Sequence, residues 1–538
     1  FLLNSNSMFK NSGNRFAKMA LASLGILSLS GTTSALDAEA LAIPVCINQR
    51  CAVLDQNGSL LIPFDNNFDN IIAADGKNTI FVGHNEMWHL LSADGKKVLK
   101  TDISDHLAPL TPNHFRFRSE GKIGIIRGDG KQIAPPKFDS VYVSGKHPYT
   151  YILYELEGKL GLMNAQGTRI TQARFDTITS YSSIADRASL VTAANNDGRL
   201  WLIDLKSNRL SPVKFISLDK IEDGHLVVKS QNRSHTGLVN DKGQLVIDLK
   251  YYSLGIPSGG LVSFQEHYRG PCGYLDYKGK IAIPAQFSQC LPFGAKEALA
   301  SERLANGSAG KFGPINRQGA WIQTPAYDKA DLAGHTALGF TTQVKGLLSI
   351  TKVDGYTAKT GIYDTDEGKE IIPMQYQWVS AINPDWFAFS HSDSPQVNVR
   401  LMGSQTMVPA VGIMNRDRQQ LVAPSRFIHI SMDASGRFFR ALDGIDKQSK
   451  TGLYDLNGQL IVPPNWESLD IDERGGVIKA YEYMNWESTG PTLRALYNLQ
   501  GQALLTVKTL ACGAQQVLNG AGEVIWPKNP EQYCPEKH

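Results

Sequence analysis

His84 and His89, flanking Glu86 in GHNEMWH, are the nearest this chain comes to a metal-ligating motif. A zinc site needs side chains that converge. On an extended strand, residues five apart point to opposite faces, so the segment reads as a polar loop and no metal is expected. DTDEG (364–368) and DIDERGG (470–476) carry acids in the manner of calcium loops. Neither has the spacing of an EF-hand, and the first falls in a recurring turn slot. There is no G-x-S-x-G and no H-E-x-x-H, hence no nucleophile elbow and no metalloprotease helix. No catalytic residue and no cofactor are expected.

The six cysteines carry more information. They fall as Cys46/Cys51, Cys272/Cys290 and Cys512/Cys534, an even number in separated pairs, which reads as disulfides in an oxidising compartment. Local pairing is expected. The alternative is that Cys46 and Cys51 bond to Cys512 and Cys534 and clamp the chain ends together. The N-terminal region points to the same compartment. Met8 is read as the initiator, followed by Lys10, Arg15 and Lys18, the apolar run 19–29 and the small residues of Ala38-Glu39-Ala40. That is the order of a secretory signal peptide ending near residue 40, and its core is too short to span a bilayer. The expected location is periplasmic or secreted, with no transmembrane segment in the mature chain.

Composition is globular, with 42% hydrophobic and 20% charged residues in 538, and a net charge of +3. No basic stripe is available to neutralise phosphates, so nucleic acid is not an expected partner.

A repeat organises the rest. A small residue recurs before a turn at Ala52, Gly124, Gly161, Gly237, Gly273, Gly313, Gly361, Gly412, Gly452 and Ala495, with His89 and Trp201 in the same slot of two weaker copies. That makes twelve copies, most of them 35 to 43 residues apart, and QQVLNGAGEVIWP is a partial thirteenth. Periods of this length indicate propellers or solenoids. Three positions after the marker stands Asn or Asp, as in Asp276 and Asn316, and six after it stands Gly, as in Gly279 and Gly319. Asx at the first turn position and Gly three later is the chemistry of a type I turn closed by a left-handed bulge. Pro follows eleven or twelve residues after the marker (Pro135, Pro284, Pro373) and is expected to end the hairpin's second strand. An aromatic follows at fourteen or fifteen: Phe138, Phe175, Phe215, Tyr251, Phe287, Tyr327, Tyr376, Phe427 and Trp466. A ring held in strict register with a turn is expected to pack between neighbouring repeats. Two further alternating segments precede the next marker, giving about four short antiparallel strands per repeat.

The pattern GKxGxxDxxGxxIxPxxF/Y resembles the WG-containing repeat of many bacterial proteins. EGKLGLMNAQGTRITQARFD (157–176), CGYLDYKGKIAIPAQF (272–287) and TGLYDLNGQLIVPP (451–464) are its best matches, and the resemblance runs over roughly residues 45–527. The Trp of the name is absent before every marker Gly: Ile123, Leu160, Thr236, Cys272, Phe312, Thr360, Val411 and Thr451 stand there. This is a divergent copy that keeps the turn, the Pro and the ring. The family is defined by its repeat and implies no single activity.

An all-β fold of tandem four-stranded repeats follows. Twelve copies exceed the roughly 4–8 blades usual in one propeller, so two propeller-like modules are expected, residues 41–300 and 301–538. An open solenoid is the alternative. Spacing lengthens after Gly313, where three copies insert residues at one position: 341–361, 386–412 and 481–495. Equivalent loops fall on one rim of a repeat array and carry function. Tyr356, Trp386, Tyr481, Tyr483 and Trp486 are the aromatic anchors expected of a binding surface there. The functional expectation is an exported, non-catalytic scaffold that binds a protein or envelope glycan. The alternatives are a propeller-type polysaccharide hydrolase or lyase, and an inhibitor or immunity protein for a secreted enzyme.

Overall fold

The computed structural model describes residues 42–530 and Cys534. Within that span it leaves out 48–49, 74–78, 112, 145–150, 165, 180–189, 196, 214, 241, 338–339, 402–403, 434–435, 444–448, 473–475 and 483–491. The leader expected over residues 1–40 lies outside the described residues.

Every regular element described is a strand, and the strands form a series of small antiparallel sheets in chain order. Alternation at period two and Gly-closed turns leave no other solution for segments this short. We number the sheets as blades: 1 (43–62), 2 (70–100), 3 (107–138), 4 (140–164), 5 (177–213), 6 (215–251), 7 (253–287), 8 (289–315), 9 (329–376), 10 (378–422), 11 (429–466) and 12 (468–526). Most have the expected four strands. Blade 1 has three. Blades 4 and 8 also have three, their last segments reduced to isolated bridges such as Leu160 with Phe175 and Phe312 with Tyr327. Blade 12 has six, because the partial thirteenth copy pairs its strand Gln515–Asn519 with Ala503–Thr509 instead of starting a sheet of its own.

The blades form one ring. Each neighbouring pair shares an apolar cluster, from Ile62 and Ile80 between blades 1 and 2 to Leu453 and Ala480 between blades 11 and 12. A further cluster joins Ile43, Val45 and Leu54 of blade 1 to Leu496, Leu505 and Val517 of blade 12. Phe64 stacks on Trp526 with centroids 5.0 Å apart, and Trp526 Nε1–H donates to Asp65 Oδ1 at 3.0 Å. The result is a twelve-blade β-propeller, so the array is not open, and two separate rings are not what the stacking describes. At the expected break near residue 300 the core continues: Leu299 of blade 8 packs with Tyr327, Leu348 and Tyr363. The long spacings that suggested a boundary are extensions inside blades 9 and 10. The disulfides are the local pairs Cys46–Cys51, Cys272–Cys290 and Cys512–Cys534, so the chain ends are held together by packing rather than by sulfur.

Each repeat position now has a physical cause. In blade 7, Asp276 Oδ1 accepts from the backbone N–H of Lys278 and Lys280, both at 2.9 Å, and Gly279 has φ +82°. The aromatic register is core, as expected: Phe138 packs on Tyr154 of blade 4, Tyr251 on Phe264 of blade 7, and Tyr376 on Phe389 of blade 10. Pro departs from expectation. Pro284 lies inside the strand Ile281–Phe287, not at its end. Pairing jumps from Cys272–Phe287 to Tyr274–Ile283, so residues 284–286 bulge opposite Gly273, and a residue at a bulge need not donate to the ladder. The bulge folds over the marker: a Cβ on Gly273 would lie 2.4 Å from the Ile283 carbonyl oxygen and 2.7 Å from Ala285 N. Where the fourth strand pairs without a bulge, the slot accepts a side chain, as with Trp201 opposite Pro212.

Candidate functional site

In an antiparallel meander the turns joining strands one to two and three to four lie at one end of the blades. The turns joining strands two to three lie at the other end. The Asx–Gly turns occupy the first rim, and the extended hairpins occupy the second.

Blade 9 sends the strands Phe340–Asp354 and Thr357–Asp364 out as one long hairpin, with Tyr356 fully exposed at its tip. Blade 10 carries a separate two-stranded hairpin, Gln396–Leu401 with Ser404–Pro409, whose Met407 is exposed. Among the expected anchors that are described, Tyr356 alone meets water freely. Trp386 begins the strand Trp386–Ser390 at the Asx–Gly rim, and packs edge-on against Phe439 between blades 10 and 11. The insertion proper starts after that strand, so Trp386 is a packing residue. Tyr481 is half-buried in the strand Val477–Glu482, and burial pushes its hydroxyl pKa up. Tyr483 and Trp486 lie outside the described residues.

The second rim changes character around the ring. On blades 2, 3 and 4 its turns are two residues long and tipped by exposed Glu86, Glu120 and Glu157, each at positive φ. Blade 7 uses a six-residue turn, 266–271, that sequence reading passed over. Tyr268 is 66% exposed there and Tyr252 42%, their rings 5.8 Å apart and tilted by 60°. The Arg269 guanidinium lies 5.2 Å from the Tyr268 ring. Blade 8 adds exposed Arg303 and Leu304. Blades 7 to 10 thus present aromatic and aliphatic side chains where blades 2 to 4 present short acidic tips. The sequence signal for blade 7 was available: the segment between Gln265 and Cys272 is longer than the turn needs.

The first rim is held by charge. Asp223 of blade 6 pairs with Lys345 of blade 9 and accepts from the Tyr277 hydroxyl of blade 7 at 3.0 Å. Burial raises the Asp223 pKa, but the hydrogen bonds from Lys345 and Tyr277 outweigh it and hold it below the usual carboxylate range. DTDEG is the strand three-to-four turn of blade 9. Asp364 Oδ1 accepts from the N–H groups of Asp366 and Glu367, while Arg416 bonds Asp364 Oδ2 and Glu367 Oε1. Asp366 Oδ1 accepts from Ala295 N–H at 2.6 Å, so all three carboxylates already have partners. His84 and His89 do approach, with ring centroids 6.4 Å apart, because the segment read as a polar loop is two paired strands joined by a tight turn at Asn85–Glu86. His84 Nδ1 contacts the Asn67 carbonyl and His89 Nδ1 accepts from Asp102 N–H. Among the described residues no group of three or more His, Cys, Asp or Glu is placed to hold a metal ion, and no helix is long and apolar enough to cross a membrane.

Glu297 is buried between blades 8 and 9 with Oε2 unpaired. Burial raises its pKa, only partly offset by the Tyr363 hydroxyl and the nearby Lys296 charge. A carboxyl whose folded pKa is raised favours folding when protonated, and that contribution is lost as pH rises through the raised value. Glu297→Gln is therefore expected to be more stable than the parent near neutral pH, with the gain shrinking towards acid. Urea unfolding measured across that range checks it, and parallel stability curves would refute it.

Two stretches, residues 237–267 and 273–300, match the family described as WG containing repeat. They fall in blades 6 to 8. No curated protein matches the chain. Among solved structures, a eukaryotic initiation factor is 12% identical at a TM-score of 0.38, covering 77% of this chain and 97% of that one. The extracellular domain of a one-component system from B. thetaiotaomicron is 8% identical at 0.22, covering 89% and 90%. BamB from Moraxella catarrhalis is 13% identical at 0.18, covering 48% and 90%. At these scores the likeness carries no argument.

Proposed function

Starting from a chain that carries WG containing repeats, we propose an exported, non-catalytic scaffold of the cell envelope that binds a partner through its second rim. The observation that carries this reading is the change along that rim, from short acidic turns to segments that expose Tyr268, Leu304 and Tyr356 at turns and Met407 along the blade 10 hairpin. Exposed aromatics set on rigid strands are what a binding surface needs. A fold built only for its core has no use for a fully exposed Tyr356 at the tip of a long hairpin. Three disulfides suit an oxidising compartment, and the proposed leader would deliver the chain there. The partner is a protein or an envelope glycan.

The test removes the rim and leaves the ring. In one variant the blade 9 hairpin is shortened past Tyr356, the blade 10 hairpin 396–409 is deleted and 483–491 is replaced by a two-residue turn. Capture from envelope extract should recover a saturable partner with the parent and at least tenfold less with the variant. Equal recovery by both would remove the rim from the function.

A further inference from the structure

The six-residue turn of blade 7 is a built feature. Gly270 N–H donates to the His267 carbonyl at 3.0 Å, and the Gly270 carbonyl accepts from Gln265 Nε2–H at 3.0 Å. Gln265 is in turn held by the Ser253 hydroxyl at 3.1 Å. Immediately after the turn, Cys272 is tied to Cys290 of blade 8. Arg269 keeps a left-handed backbone at φ +57°, a conformation uncommon outside glycine and a pointer to function when the surroundings enforce it. Residues 268–271 of the turn lie outside both stretches that match the WG containing repeat.

What the turn displays is two tilted tyrosine rings and two guanidinium groups. Arg303 Nη1 donates to the Arg269 carbonyl at 3.5 Å, and the Arg269 guanidinium lies 5.2 Å from the Tyr268 ring, so both arginines stand at this turn. Neither arginine has an acidic partner among the described residues, although Glu266 and Glu302 flank them in sequence. A guanidinium without an acidic partner presents a fork that fits carboxylate, and exposed rings offer flat apolar faces beside it. The backbone groups of the turn at Gly270 are already bonded internally, so no row of free N–H and C=O invites a peptide strand.

We propose that Tyr252, Tyr268, Arg269 and Arg303 form a binding site for an acidic polysaccharide, its sugar rings stacking on the tyrosines and its uronate carboxylates pairing with the arginines. The proposal rests on the reading of the second rim as a binding surface and names what one sector of it takes.

Titration calorimetry of the full chain tests it with three probes: oligogalacturonate, a neutral cello-oligosaccharide of equal length, and poly-glutamate. Oligogalacturonate should bind, and Tyr268→Ala and Arg269→Ala should each weaken it about tenfold, the scale of losing one anchor. Val98→Ala, an exposed residue of blade 2 away from the second rim, should leave it unchanged. All these side chains are exposed, so the fold is kept, and circular dichroism verifies that. Absence of oligogalacturonate binding, equal binding of the neutral oligomer, or indifference to Tyr268→Ala would each overturn the site. Tighter binding of poly-glutamate would replace the glycan with an acidic peptide and overturn it too. If oligogalacturonate fails while the trimmed-rim variant still loses its envelope partner, the scaffold reading stands and this site falls. If it binds at Tyr268 while trimming changes nothing, the extended hairpins fall instead.

Discussion

Gly501→Ala is expected to destabilise the protein by about 2–5 kcal/mol, whereas Gly522→Ala costs about 1–2 kcal/mol. Both glycines close Asx–Gly turns at nearly the same left-handed backbone, φ +82° and +80°. A Cβ at either position meets the same local conflict with its own chain. Only Gly501 faces a neighbour: its Cβ would lie 2.2 Å from the Ile461 carbonyl oxygen of blade 11, while nothing lies within 4 Å of one on Gly522. The atom in the way is backbone in a paired strand, so it cannot swing aside as a side chain would. The difference between the two variants isolates blade-to-blade contact from turn geometry. Urea denaturation of both, beside the parent, measures it. Equal destabilisation would mean that the turn glycines serve φ alone.

Trp526→Ala should have an effect of similar size confined to one place. Trp526 is buried, stacked on Phe64 and bonded to Asp65, and truncating a core tryptophan costs about 3–5 kcal/mol. Because the apolar clusters join each blade to its neighbours, the loss falls on the junction of blades 12 and 1. Hydrogen exchange should accelerate in Ile43–Ile47 and Ala503–Thr509, and stay near parental in Leu261–Gln265 of blade 7. Trp526→Phe retains a stacking ring and loses the hydrogen bond, and should recover all but about 1 kcal/mol. Uniform acceleration through all blades would show that the ring unfolds as a whole and that the junction has no separate stability.

Turns were the most legible part of this chain. Asx and Gly three positions apart report directly on backbone torsions, and Asp276 and Gly279 behave as that chemistry requires. The rings were legible because Phe138 or Tyr251 at fixed distance from a turn can only face a neighbour in the stack. The marker glycines were visible without their cause, since the bulge over Gly273 depends on pairing with residues ten positions later. Closed blades were expected, but closure of all twelve copies into one ring was not legible. Nothing in the residues around Phe64 says that Trp526 will meet them, and long spacings after Gly313 imitate a boundary when they are hairpins. For the second rim, insertion length found the long hairpins of blades 9 and 10 but grouped Trp386 with them, whereas it packs on Phe439 at the opposite end of its blade. Tyr268 was missed for the opposite reason: its turn is only slightly long, and what sets it apart is exposure, which needs the fold.

Closure of the ring by packing alone also fixes an order of events. The blade 1 face formed by Ile43, Val45 and Leu54 is made first, yet its cover includes Val517 and Trp526, and Asp65 and Trp526 are 461 residues apart. At about 5–20 residues per second of synthesis, that face waits on the order of 20 to 90 seconds for its partner. Through that interval the nascent chain carries an uncovered apolar edge, and the contact that completes the molecule is also the one with the greatest loop to close. A holdase shielding blade 1 would therefore act at the joint between blades 1 and 12, the last apolar face of the ring to be covered during synthesis.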